Sequence, residues 1–555
     1  MALPGGATPE RVFAPYNRWM TSEQPLEVEW QFDAPDLAPV TAWLDSAAVP
    51  GYTVRPKAER LLRDRYFDTP DWRVYRAGYT ARLRDGAERT VVTLKSMAAA
   101  SEGLRTRREY EEPLPAGSMA ATASAAPGPC GDRLRLVGGA GAFVDLFSVR
   151  TNRRTYSVTD TEGTVAEVAV DLTECLAPGA GDGDGRVLRR IEVELAPGVA
   201  TDRAQRFVDL LAVVGRLAPA THSKFETGML AAGLAGPPPF SFGSTAVTRS
   251  LTTAEAAYAI LRKHFAVLLA NEAGTRLGED IEALHDMRVA ARRLRAAMAA
   301  FAPYLSPAIL RFREPLGWVG AVLGEVRDLD VHLEEFAAYH AHVEPEVAAG
   351  LEEIEAVLRE DRLRARARMV RALDSSRYQR LVEAFSATLR RGAPASHAAG
   401  HVPVLLAGPR LMRRRYGAFR RQGDAITPAS LPAEYHALRI TSKKLRYALE
   451  FLAPLYGAPA AAFSAKVTAL QDLLGRHQDL EVAAQTLRDV AARRGRRLSP
   501  GALVAVGILA ERNRHEGAAL RRQFPAVYRQ LKGAPWRAVQ KACADATASL
   551  SASWV

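Results

Sequence analysis

Residues 285–305 read HDMRVAARRLRAAMAAFAPYL and residues 436–456 read HALRITSKKLRYALEFLAPLY, the same order of histidine, bases and apolar residues at an offset of 151. The offset persists on both sides. LRKHF at 261 lies over MRRRY at 412, and LGEVRDLD at 323 lies over LGRHQDLE at 474. Residues 261–330 are therefore duplicated as 412–481 without insertion. A helical unit present twice is expected to pack about a pseudo-twofold axis, like an internal homodimer. That expectation restricts the chain more than its composition does.

At ~100° per residue, His285, Arg288, Arg292 and Arg295 span an arc of roughly 80°. Met287, Leu294, Met298 and Phe301 occupy a separate arc about 60° wide, the core side. The second copy repeats this with His436, Arg439, Lys443 and Arg446 against Leu438, Leu445, Leu449 and Leu452. Arg293 and Lys444 point away from both stripes and read as ordinary surface charges. A solvated face would mix signs and gain from acid–base pairs at i,i+4. These stripes hold no acid, so their cations repel one another unless an anion bridges them. Neither stripe interleaves aromatics, which removes the base-stacking argument for single-stranded nucleic acid. Facing Arg, Lys and His suit a thin chain charged at every unit, and inorganic polyphosphate fits that description.

The charge distribution agrees. Net charge is +12, yet residues 1–250 carry 29 Lys and Arg against 31 Asp and Glu, and the remainder 45 against 31. The positive half calls for a polyanionic partner. The N-terminal residues lack the apolar core of a secretory signal, and ALVAVGILA is far shorter than a membrane span. Cys130, Cys175 and Cys543 are scattered and odd in number, so a reduced cytoplasmic protein without a membrane role is expected. Alternating segments before residue 230 read as strands, and helical periods follow residue 251. Between them, 233–244 (GLAGPPPFSFGS) reads as a linker. Two low-complexity stretches, 120–132 and 177–186, read as mobile loops.

HDMRVAARRLR with LGEVRDLD, and HALRITSKKLRY with LGRHQDLE, resemble the two halves of a CHAD domain, the conserved-histidine α-helical domain. The resemblance covers 251–535 and implies two four-helix bundles related by a pseudo-twofold axis and a basic surface that binds polyphosphate. Carried onto this chain, the binding residues are the two stripes, His285, Arg288, Arg292, Arg295, His436, Arg439, Lys443 and Arg446. Arg262, Lys263 and His264, with their counterparts Arg413, Arg414 and Arg415, are expected to contribute. Asp328 and Asp479 either orient those bases or serve as ion-pair or turn residues. The histidines are either ligand-binding or satisfied within the helices.

In the first half, period-2 alternation puts like charges on one strand face. Glu27, Glu29 and Gln31 share a face opposite Val28, Trp30 and Phe32, Arg82 goes with Arg84, and Thr93 with Lys95. Glu109 goes with Glu111, Glu167 with Asp171, and Glu192 with Glu194. Faces of both signs on so many strands point to a closed barrel with a polar lumen. Clustered carboxylates suit a hard cation such as Mg²⁺ or Mn²⁺, and Arg or Lys clamp phosphate oxygens.

The ordered pieces EVEWQ at 27, YFDTPD at 66, RLR at 82, TLK at 93, NRR at 152, EVELA at 192 and HSKFE at 222 resemble the CYTH domain of the triphosphate tunnel metalloenzymes. The resemblance covers 24–232, leaves 233–250 as linker, and implies an eight-stranded antiparallel tunnel and metal-dependent triphosphate hydrolysis. The fold class is thus α+β multidomain. On this basis Glu27, Glu29, Asp171, Glu192 and Glu194 are the candidate metal ligands. Arg82, Arg84, Lys95, Arg154 and Lys224 are the candidate triphosphate clamps. Glu109 and Glu111 serve a second metal or balance the charge. The family's ExExK signature ends in lysine, associated with activating the attacking water, where this chain has Gln31. A neutral amide positions water but is no base. Two readings follow: a polyphosphate-binding triphosphatase, and a non-catalytic polyphosphate-binding protein with a degenerate barrel. A nucleotide- or thiamine-triphosphate-directed enzyme is a weaker third, and nucleic acid is disfavoured as a partner.

Overall fold

The computed structural model describes residues 26–552 apart from 47–48, 98–100, 102, 140, 178–184, 341–344 and 496–497. The amino-terminal stretch examined for a signal and most of the 177–186 stretch lie outside the described residues. The chain forms two compact units, Met1–Pro239 with Ala273–Asp280, and Phe240–Glu272 with Ile281–Val555.

The first unit is built on a closed antiparallel barrel. Its strands are β1 (Leu26–Asp33), β2 (Thr53–Asp68), β3 (Tyr79–Asp85), β4 (Arg89–Ser96), β5 (Leu104–Pro115), β6 (Val144–Asp160), β7 (Gly163–Leu176) and β8 (Arg186–Leu195). Their order is β5-β4-β3-β2-β6-β7-β8-β1, and β1 pairs again with β5, which closes the eight-stranded ring. The two-residue β9 (Ala218–Pro219) borders β1 outside that ring.

Alternation turns this barrel inside out relative to a packed core. Trp30 and Phe32 of β1 face outward, against Val40 and Leu44 of α1 (Ala38–Asp45) and Phe207 and Leu211 of α3 (Thr201–Gly215). Phe207 is fully buried, which contributes about 1.5–3 kcal/mol. A second outer cluster joins Leu83, Val92 and Leu94 to Cys130 and Leu134 of α2 (Gly128–Gly138). This corrects the reading of 120–132 as a mobile loop: it forms a 3-10 turn and the start of α2. Its small residues serve close packing, since a Cβ at Gly131 would stand 1.7 Å from the Ala126 carbonyl oxygen. With apolar side chains outside under helices, the charged faces of the strands turn into the lumen. The helix α4 (Lys224–Ala231) starts in a capping box, in which Ser223 and Glu226 satisfy each other's backbone N–H groups.

The second unit repeats one helical order. Its first half runs α5 (Thr253–Ala270), α6 (Ile281–Ala300), α7 (Arg313–His340), α8 (Pro345–Asp374) and α9 (Ser376–Arg391). The second half runs α10 (Val404–Ala425), α11 (Pro432–Arg494), α12 (Pro500–Arg529) and α13 (Ala534–Ala552). α11 does the work of α6 and α7 in succession, broken at Gly457, whose φ of 64° only glycine adopts without strain. Among the described residues each half thus carries the four expected helices and a fifth long one, and the first half adds the short helix Pro307–Leu310. The halves meet where α6 packs on α11 and α8 on α12. Aromatic packing extends the repeat beyond its legible motifs: Phe385 sits 4.8 Å from Phe265 and 4.9 Å from Phe312, ring to ring. At the same offset, Trp536 sits 3.9 Å from Tyr416 and 5.4 Å from Phe463.

Candidate functional site

The barrel lumen holds a cavity of roughly 290 Å³ lined almost wholly by charged and polar groups. Lys95 Nζ reaches both carboxylate oxygens of Glu27 at 2.9 Å and Glu109 at 3.0 Å. Arg84 clasps Asp64 with two hydrogen bonds of 2.7 and 2.9 Å, and Arg82 adds a contact of 3.4 Å. Arg82 also stands 3.6 Å from Glu109 and from Glu111. On the opposite strands, Arg153 pairs with Asp171 at 2.6 Å and with Glu192. Lys224, delivered by the first turn of α4, reaches Glu192 at 2.8 Å and also contacts Asp171.

These pairs set the protonation states. Burial alone would raise Glu192, but Lys224 and Arg153 outweigh it and hold this carboxyl well below the usual range. Asp64 is likewise held down, by Arg82 and Arg84, against its burial. Burial lowers Lys224 despite its two carboxylate partners. Glu194 goes the other way, pushed up to about 7 by burial and by the nearby carboxylates of Glu27, Glu109 and Glu167. Gln31, 3% exposed, donates from Nε2 to Glu29 at 2.8 Å, and its Oε1 has no partner among the described residues. Glu29 is also engaged by Arg107.

The second unit holds a basic cavity of roughly 500 Å³. Arg288, Arg292 and Arg295 of the first stripe and His436, Arg439 and Lys443 of the second line it together. Asp328 accepts from Arg288 at 2.9 Å, and its counterpart Asp479 stands 3.9 Å from Arg439. His436 Nδ1 lies 2.6 Å from Gln478 Oε1. Lys443 is depressed to about 7, first by burial and then by Arg439, Arg292, Arg288 and Arg446. The cations on this surface therefore repel, as the acid-free stripes required.

Family models decide the architecture: the CYTH domain matches residues 45–229 and the CHAD domain matches residues 259–488. The chain is a CYTH–CHAD protein. No curated protein matches the chain. Among solved structures, a CHAD domain from Ricinus communis is 29% identical and covers 53% of this chain and 97% of its own, with a TM-score of 0.45. PptA from Streptomyces chartreusis is 23% identical over 50% of this chain and 99% of its own, TM-score 0.41. HpAC1 from Hippeastrum, a putative adenylyl cyclase with a dominant triphosphatase activity, is 22% identical over 38% of this chain and 98% of its own, TM-score 0.30. The CYTH match begins after β1, yet β1 completes the barrel and contributes Glu27, Glu29 and Gln31.

Most expected tunnel residues converge. Glu27, Gln31, Arg82, Arg84, Lys95, Glu192, Glu194 and Lys224 line the CYTH cavity, and Asp171 and Glu29 lie directly behind it through shared partners. Arg154 does not. It faces outward to Asp45 at 3.1 Å, while its neighbour Arg153 faces the lumen. Adjacent arginines on a strand must take opposite faces, and Arg153 rather than Arg154 stands across from Asp171 in the ladder. Arg105, Arg107 and Asp64 were missed. The two arginines extend the alternation of Glu109 and Glu111 two steps back along β5.

In the CHAD unit several expected bases lie elsewhere. Arg262 donates to the Leu389 carbonyl at 2.8 and 3.0 Å, and Arg415 to the Ala299 carbonyl at 2.9 Å. His264 is 6% exposed and depressed to about 4 by burial, Arg293 and Lys263, so it is a neutral core residue. Lys263 and Arg414 are exposed, and neither they nor His285 line the cavity. Arg446 turns to Glu450 at 3.4 Å. Arg293, read as an ordinary surface charge, crosses to Glu450 of the other half at 2.9 Å. His332, buried on α7, lines the cavity without having been singled out.

Proposed function

We propose that the CYTH tunnel hydrolyses inorganic triphosphate or short polyphosphate with Mg²⁺ or Mn²⁺, and that the CHAD cavity binds polyphosphate. One observation carries the reading: bases and carboxylates interleave in a single cavity, the mixture a metal-bound triphosphate needs. Arg82, Arg84, Lys95, Arg153 and Lys224 would take the phosphate oxygens, and the carboxylates they now hold would be released toward the metal. Among the described residues no three His, Cys, Asp or Glu side chains are already arranged to hold a metal ion. The donors are nonetheless all carboxylate oxygens, which fit a hard divalent cation. Glu27, Glu192 and Glu194 would hold it, with Glu29 and Asp171 behind them. When bound, it would polarise the phosphoryl group and neutralise charge developing on it.

The chain's own residues would do the rest. The bases orient the triphosphate along the tunnel and offset its charge. The unpartnered Gln31 Oε1 is a hydrogen-bond acceptor placed to hold an attacking water, although an amide does not remove its proton. That same amide favours the second reading, a binding-only barrel. Phosphate release from tripolyphosphate with Mg²⁺ or Mn²⁺ tests both, comparing wild type, Gln31→Lys and Glu192→Ala. Release by wild type that Glu192→Ala abolishes is expected. No release by wild type, restored by Gln31→Lys, would establish the degenerate barrel instead.

The CHAD reading is supported by the joining of both stripes in one cavity. Polyphosphate as partner, cytoplasmic location and the absence of a nucleic-acid role belong to this proposal. The three cysteines are buried and unpaired, as a reducing compartment would keep them. No helix among the described residues is long and apolar enough to cross a membrane.

A further inference from the structure

Arg413 stands apart from the basic cavity, in a groove of roughly 440 Å³ along α10 and α13. Its apolar wall comes from Leu406, Pro409, Met412, Trp536 and Val539, and Arg410 lies beside Arg413. Among the described residues no acidic residue lines the groove, and neither arginine has a hydrogen-bond or ion-pair partner.

The first half of the repeat indicates what such a surface takes. Its counterpart lies on α5 and α9, and the aromatic triads Phe265–Phe385–Phe312 and Tyr416–Trp536–Phe463 set the equivalence at 151 residues. There the chain lays its own non-helical segment, bent at Phe242 and Gly243, across the helices. Phe242, 3% exposed, packs on Phe265 at 5.0 Å and under the Arg390 guanidinium at 5.3 Å. Arg262, the counterpart of Arg413, donates to the Ser244 carbonyl at 3.3 Å and to the Leu389 carbonyl near the end of α9. Among the described residues the second half has neither provision. The residue 151 beyond Phe242 is Ala393. The helix α13 continues to Ala552 where α9 stops at Arg391, so Arg413 meets no helix-end carbonyl.

We propose that the α10–α13 groove receives a non-helical peptide segment of a partner protein, which lays an aromatic side chain on the apolar wall and a carboxylate on Arg410 and Arg413. The wall selects the aromatic group, as Phe265 does for Phe242. The two unpaired cations select an acidic neighbour, since their charge is not offset within the groove. Polyphosphate suits it poorly, because half the lining offers that ligand no donor.

The test uses the full chain and a fluorescein-labelled peptide of residues 237–244 with both serines replaced by aspartate. Fluorescence anisotropy should show saturable binding. Ala544→Glu, on the exposed rim of the groove, should weaken it at least tenfold, by bulk and by repelling the peptide's aspartates, while leaving polyphosphate binding at the basic cavity unchanged. Replacing both phenylalanines of the peptide by alanine should weaken it as much. Arg410→Ala with Arg413→Ala should weaken the aspartate peptide several-fold and leave the serine peptide unaffected. No binding at about 1 mM peptide, or binding indifferent to Ala544→Glu, would overturn the proposal. So would displacement of the peptide by polyphosphate, which would assign the groove to that anion. Concentration-dependent dimerisation abolished by Ala544→Glu would assign it to a second copy, and equally overturn it.

Discussion

Lys443 gives the basic cavity a measurable dependence on pH. Its ammonium is depressed from 10.5 to about 7 by burial and by the arginines beside it, so it loses its charge near neutrality in the free protein. Polyphosphate would neutralise those arginines and restore its proton. A group whose pKa rises on binding takes up a proton, so affinity is greatest below the free pKa and falls as pH climbs above it. If the bound pKa returned fully to its ordinary value, affinity would fall about 90-fold between pH 6 and pH 9, up to ~10-fold per unit. His436, Asp328, Asp479, His332 and Glu335 face the same cavity, and the ligand's ends also titrate, so the comparison must isolate Lys443. Lys443→Arg does so, because a guanidinium keeps its charge throughout this range. Calorimetric titration with polyphosphate of defined length, at each pH and in buffers of differing ionisation enthalpy, would give affinity and proton uptake together. The variant should lose most of the decline and the proton uptake above pH 7. Identical profiles for the two proteins would refute the assignment.

Other perturbations probe the rest of the molecule. Arg288→Ala with Arg439→Ala should weaken polyphosphate binding and make log K against log salt shallower by about 1.4–1.8, the change for two lost phosphate contacts; an unchanged slope would return both arginines to the solvated surface. Arg153→Ala should cost about 3–5 kcal/mol in chemical denaturation, because it leaves fully buried Asp171 with fewer compensating charges. Arg154→Ala, whose pair with Asp45 is well exposed, should cost no more than about 1 kcal/mol. Phe385→Ala should cost about 3–5 kcal/mol in the unfolding of the helical unit, since its ring anchors the triad of the first half.

Legibility followed periodicity. On β1, β3 and β4 a strict alternation identified Glu27, Arg82 and Lys95, because a strand leaves each side chain only two directions. Where two arginines stand side by side on β6, the motif is the same for either face, and only pairing with Asp171 selected Arg153. Stripes on α6 and α11 were readable for the same reason at the helical period. The triplets 262–264 and 413–415 were not, since their role depends on which helix end or core each residue meets. Arg262 meets a carbonyl, His264 meets Phe451, and Arg413 meets open groove.

The sequence by itself determined the two-domain order, the inward charge of the barrel strands and the acid-free stripes, all properties of local period and composition. Only tertiary structure decided which stripes share a cavity, which arginine enters the tunnel, and that the two halves of the repeat are covered differently. Those outcomes depend on contacts between residues far apart in the chain, such as Arg262 with the Leu389 carbonyl and Arg293 with Glu450, which a local period does not encode.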